Sequence, residues 1–150
     1  MIKHNLAIGS VATTRMLQTD PYTASFWITN PTNDFIGSVA AGGDFYGIWY
    51  EIKEHPDGPS ATMDVCPMGN PLGTVTNNIA RSNVRFGLRI FVLASRPDPC
   101  DPGRNDTDPN DPWSYNPSQQ SLFSNFTIYK NLEDGIFHPL KDMDFIDIDG

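Results

Sequence analysis

Glu51, Lys53, Glu54 and His55 form the densest set of proton-moving groups in the 150-residue chain. Glycoside hydrolysis uses two carboxyl groups about 5–10 Å apart. In an extended strand only residues an even step apart share a face, so Glu51 and Glu54 need not converge. A solvated rim accounts for them without chemistry, and His55, followed by Pro56, reads as a loop histidine. His4 and His138 have no Ser or Cys partner that the sequence identifies. No catalytic residue is assigned, and enzyme status stays open.

Arg81, Arg85 and Arg89, with Arg96 beyond them, are the basic cluster. Guanidinium groups can hold the carboxylates of an acidic glycan. Pairing with the Asp-rich segment that follows would neutralise them instead, and this is the preferred reading. Trp27, Tyr46, Trp49 and Tyr50 could stack on sugar rings, although aromatic residues at such positions more often fill a core. The run Asp106-Thr-Asp-Pro-Asn-Asp111 suggests calcium, but an EF-hand loop wants Gly at its sixth position and Glu at its twelfth. Here those are Asp111 and Pro117, leaving an irregular calcium site or, by default, a flexible acidic loop. No GxGxxG, P-loop, CxxC or HExxH string occurs, so no nucleotide cofactor or structural zinc is expected.

Charge and proline are both segregated. Ten Lys and Arg against 18 Asp and Glu leave a net charge of -8, the reverse of a nucleic-acid binder. Asp98, Asp101, Asp106, Asp108 and Asp111 fall in residues 97–117, and Asp142, Asp144, Asp147 and Asp149 in an acidic end after residue 138. Ten of the 13 prolines lie between Pro56 and Pro117. No stretch approaches the ~18–20 apolar residues of a membrane span, and the N-terminus lacks the apolar run of a signal peptide. The body between these excursions is nearly neutral and aromatic-rich.

That body repeats. Residues 39–50, 79–90 and 127–138 align without gaps, sharing Gly47, Gly87 and Gly135, each followed by Ile48, Leu88 or Ile136. Four residues earlier stand Gly43, Asn83 and Asn131, residues that accept a left-handed backbone, so this column predicts a recurring tight turn. The flanking runs of Ile, Val, Phe, Tyr and Trp are too short for helices and suit strands. Phe35, Val75 and Phe123 each open a further short strand upstream, and a weaker copy lies at 2–11. Strand, bend, strand, repeated in one sense, predicts an all-β, right-handed parallel β-helix of about three to four coils. Three unrelated hairpins in a β-sandwich are the alternative. The glycine column would lie where backbone passes close to the packed interior.

The repeat spacings of 40 and 48 residues exceed a bare coil because of two excursions, about 54–73 and 94–121. Both leave from the same point of the repeat and would lie side by side on one face. Cys66 lies in the first and Cys100 in the second. They could form a disulfide or remain two free thiols. Asn105-Asp-Thr and Asn125-Phe-Thr fit the N-glycosylation sequon; Asn105, in a Pro/Asp loop, is the better acceptor, and Asn125 could instead be a buried turn amide. A disulfide and sequons together favour an oxidising compartment.

Ser25-Phe-Trp-Ile-Thr-Asn-Pro31, Ala40-Ala-Gly-Gly43, Gly47-Ile-Trp-Tyr50, His55-Pro-Asp-Gly-Pro-Ser60 and Asn77-Asn-Ile-Ala-Arg-Ser-Asn83 resemble the β-helix region of the CEMIP/fibrocystin-L family. The resemblance covers about residues 2–138 and leans towards fibrocystin-L rather than the hyaluronidase branch. It implies a β-helix domain over 1–138 and an extracellular or cell-surface location; the acidic tail over 139–150 is read from its charge alone, and Asp142–Gly150 matches nothing in the family. It also implies a piece of a much longer protein, with neighbouring coils, and then an extracellular glycan or another cell-surface protein, as partners. Neither nucleic acid nor direct membrane insertion is expected. The function implied is structural or adhesive, with a glycan-depolymerising fragment as the alternative. Open coil edges predict marginal stability or self-association for the isolated chain.

Overall fold

The computed structural model describes residues 1–13, 22–91, 100 and 121–137, and the backbone of 143–149. Its strands, in chain order, are β1 (Ile2–Lys3), β2 (Leu6–Ile8), β3 (Ala24–Ile28), β4 (Phe35–Ile36), β5 (Val39–Ala41), β6 (Tyr46–Glu51), β7 (Val75–Thr76), β8 (Ile79–Arg81), β9 (Phe86–Phe91), β10 (Ser121–Tyr129), β11 (Asp134–Phe137) and β12 (Met143–Asp149). All their pairings are parallel. One sheet runs β1-β4-β7-β10 and back through β8-β5-β2, with β12 against β10; the other runs β11-β9-β6-β3. Each of the first three coils contributes two short strands to the first sheet and one to the second; in the next coil the two short strands merge into the single β10. This is a parallel β-helix.

Side chains stack in register. Ile2, Phe35, Val75 and Phe123 share a rung position, as do Ala7, Ala40, Ala80 and Ile128. On the second sheet, Phe26, Ile48, Leu88 and Ile136 form an inward column, and Ile28, Tyr50 and Ile90 another. Phe35, Ile48, Tyr50, Leu88, Ile90 and Phe123 are fully buried, and Met68 from the first excursion packs on the same core. Short β-branched and aromatic runs fit here because each strand turns one face to the packed interior, and β6 is covered on the other as well.

The bends differ in one respect from the expected column. Gly43, Asn83 and Asn131 are not left-handed; the residues before them are, with φ of 68° at Gly42, 56° at Ser82 and 54° at Lys130. A second stack of left-handed residues, His4, Gly37, Asn77 and Asn125, separates the paired short strands and bends the long β10. Asparagine is at 83 and 131 for its side chain. Asn83 Oδ1 accepts the Gly43 N–H (3.1 Å), and Asn131 Oδ1 accepts the N–H (3.1 Å) and side-chain amide (2.9 Å) of Asn83. A second ladder runs nearby: Asn78 Oδ1 accepts the Ser38 N–H at 2.9 Å, and its amide donates to the Phe35 carbonyl at 2.9 Å. These satisfy backbone groups that coil corners would otherwise bury unpaired.

The glycine column is a close-approach column. A Cβ at Gly47 would lie 2.6 Å from the Gly87 carbonyl oxygen and 2.7 Å from Asn83 Nδ2. One at Gly87 would lie 2.6 Å from both Asn131 Nδ2 and Ile128 Cγ2. The expected acidic end contains β12, which pairs in register with β10 from Ser121 to Thr127.

Candidate ligand-binding cleft

Strand alternation places Trp27 on the outer face of β3, between inward-facing Phe26 and Ile28. Its indole is 49% exposed and lies flat on Trp49 of the next coil, with centroids 5.1 Å apart and planes 5° from parallel. Register then sets Arg89 and Phe137 in the same outward column. Arg89 sits 4.7 Å from the Trp49 ring centre and 5.0 Å from that of Tyr46. Trp49 and Tyr46 are covered by these neighbours. Tyr50 points into the core against Phe123, and burial holds its phenol pKa well above the usual range. Of the four aromatic residues considered for sugar stacking, Trp27 alone presents an accessible ring.

Beside Trp27 the first excursion folds back to form a cleft of about 300 Å³. Trp27, Thr29 and Asn30 line one side; Lys53, His55, Asp57 and Ser60 line the other, with Val65 and Pro67 behind. His55 Nδ1 lies 3.1 Å from the Val65 carbonyl, which only accepts, so Nδ1–H donates. Lys53 Nζ pairs with Asp57 at 2.5 Å; this contact raises the lysine pKa and lowers that of the carboxyl. Between Val65 and Pro67, Cys66 is joined to Cys100 by a disulfide, and Cys100 Sγ lies 3.0 Å from the Glu54 carbonyl oxygen. The excursion is thus joined to Cys100 by the disulfide and closed across its own turn by the His55–Val65 hydrogen bond. Two features of the sequence pointed here without being read: Trp27 alternates with two core residues, and Lys53 and Asp57 are four apart.

The remaining expected groups are spread out. Arg81 is exposed on the first sheet, in the column of Ile8, Ala41 and Tyr129. Arg85 binds Glu133 of the following coil at 2.9 and 3.0 Å, which raises its pKa, and lies over Phe45 and Phe86. Arg85 and Arg89 thus flank one aromatic cluster around Tyr46 and Phe86, while Arg81 lies on the other sheet. Glu51 closes β6 and Glu54 is exposed. Asn125 is exposed at its bend and its amide donates to Asn77 Oδ1. Asn105, Arg96, His138, the Asp106–Asp111 run and nearly all of the second excursion lie outside the described residues. Among the described residues no group of three or more His, Cys, Asp or Glu could hold a metal, and no helix is long and apolar enough to cross a membrane.

A parallel β-helix with asparagine ladders and a disulfide-tied loop defines the class, and comparison gives the family. Residues 2–88 match the family model described as CEMIP beta-helix. The chain belongs to the CEMIP beta-helix family. It is 42% identical to mouse fibrocystin-L over 91 residues, covering 61% of this chain and 2% of that protein. It is 30% identical over 132 residues to the mouse cell migration-inducing and hyaluronan-binding protein, covering 75% of this chain and 9% of that one. It is 39% identical over 69 residues to human cell surface hyaluronidase CEMIP2, covering 45% and 5%. The chain thus spans a small fraction of the relatives it matches. No solved structure matches it.

Proposed function

We propose that this chain is a non-catalytic structural and adhesive β-helix segment of a large extracellular or cell-surface protein resembling fibrocystin-L. The observation that carries this reading is the use made of three of its described acidic groups as braces between coils. Asp44 accepts the Ala12 N–H at 2.8 Å, Asp34 the Thr74 N–H at 3.0 Å, and Glu133 holds Arg85. Asp57, the single carboxylate among the described lining residues of the cleft, is committed to Lys53. Most glycoside hydrolases use a carboxyl pair. The cell-surface location rests on kinship with a protein named cell surface hyaluronidase and on the disulfide, a feature of oxidising compartments.

One observation favours a second reading, a fragment of a glycan-depolymerising enzyme. The match to the hyaluronan-binding relative extends over three quarters of the chain, further than the fibrocystin-L match. Incubating the longer parent with hyaluronan and sizing the polymer separates the two. The expected result is unchanged polymer length. Depolymerisation that is abolished by Glu51→Gln or Arg89→Ala would replace the first reading with the second.

A further inference from the structure

We propose that the cleft at Trp27 binds an uncharged sugar ring. The inference goes beyond the adhesive reading and stands whether or not the parent is catalytic. Trp27 offers a half-exposed indole whose orientation is fixed by the parallel face of Trp49 beneath it. A flat, rigid aromatic surface suits the apolar C–H face of a pyranose, whose hydroxyls then project at the ring's edge towards polar groups. Asn30, Ser60 and the Lys53–Asp57 pair line that edge. With Nδ1–H donated to Val65, a neutral His55 leaves Nε2 as a further acceptor. The cleft volume, at the lower end for small-molecule sites, suits one or two sugar units.

Charge argues for a neutral ligand. Lys53 is the one lysine or arginine among the described lining residues, and Asp57 already neutralises it. Arg85 is bound to Glu133, and Arg89 lies over aromatic rings. An acidic polymer would gain no unpaired cation at the cleft wall. The wall is also formed before ligand arrives: Val65 and Pro67 flank the disulfide-bonded Cys66, and His55 ties Val65 back. Such preorganisation lowers the ordering cost of binding.

The test is titration of the full 150-residue chain, disulfide intact, with cellotetraose, mannotetraose, chitotetraose and a hyaluronan octasaccharide. Tryptophan fluorescence and saturation-transfer NMR are the readouts. At least one neutral tetrasaccharide should bind saturably with a Kd on the order of 1 mM or tighter. Trp27→Ala should weaken it at least about tenfold, while Trp27→Tyr, which keeps a stacking ring, should retain most of the affinity. Asp57→Asn, at an exposed rim position, should also weaken binding and serves if Trp27→Ala fails to fold. Absence of saturable binding to any neutral tetrasaccharide overturns the proposal. So does binding that survives Trp27→Ala, or preference for the hyaluronan octasaccharide with loss on Lys53→Ala. Hyaluronan sizing on the parent tests the adhesive reading separately, so the two can fail independently.

Discussion

Asn131 Oδ1 receives two hydrogen bonds from Asn83, one from its backbone N–H at 3.1 Å and one from its side-chain amide at 2.9 Å, across 48 residues of sequence. Asn83 in turn caps the Gly43 N–H one coil back and is 1% exposed. Replacing Asn83 with Ala strands the Gly43 donor and removes a bond to Asn131. A loss of about 1–3 kcal/mol is expected, the cost of unsatisfied buried polar groups. Thermal unfolding monitored by circular dichroism measures it, and a melting temperature equal to the parent's would refute the ladder's role.

The glycine column makes a graded prediction. Gly87→Ala places a methyl 2.6 Å from Ile128 Cγ2, whereas Gly135→Ala places one at 3.3 Å. Gly87→Ala should therefore destabilise by about 1–3 kcal/mol, in the range of core overpacking, and Gly135→Ala by clearly less. Equal costs in chemical denaturation would mean that close approach is not what selects glycine here.

Reducing Cys66–Cys100 releases a loop constraint over a sequence separation of 34. The chain-entropy estimate for such a loop is roughly 3–4 kcal/mol. Unfolding with and without a phosphine reductant reads the difference, and alkylation followed by mass measurement counts the thiols. No free thiol should be found in the untreated chain.

Acid should weaken the contact between the second and third coils. Asp34 has its pKa lowered chiefly by the Thr74 backbone N–H. Stabilisation from a depressed carboxyl is fully present above the unfolded value of about 3.9 and is lost as pH falls through the lower folded value. Asp34→Asn should thus flatten the stability–pH profile below about pH 4 while leaving its shape near neutrality unchanged. Identical acid limbs for the two proteins would remove Asp34 from the account.

Much of the architecture was legible because a solenoid repeats its physical problem in every coil. Gly47, Gly87 and Gly135 recur because the same close approach recurs, and Ile48, Leu88 and Ile136 because they stack. The turn was misplaced by one residue because asparagine serves two purposes: a tolerant backbone and a short amide side chain. Here the amide mattered, and Ser82 and Lys130, neither a usual left-handed residue, took the strained φ. The cleft was harder to see. It pairs Trp27 with Lys53, His55 and Asp57, residues more than 25 positions away, whose approach depends on how the excursion folds back. Local pattern carries coil periodicity but not the path of an aperiodic loop.

Trp27 and Trp49 belong to successive coils, yet their indoles are parallel and in contact. A ring held against another in this way sits in a fixed chiral setting, so the part of the near-ultraviolet circular dichroism that Trp27→Phe removes reports the seating of the outermost coil on its neighbour. Its disappearance ahead of the main backbone transition would show the solenoid unwinding from that end, with no added label.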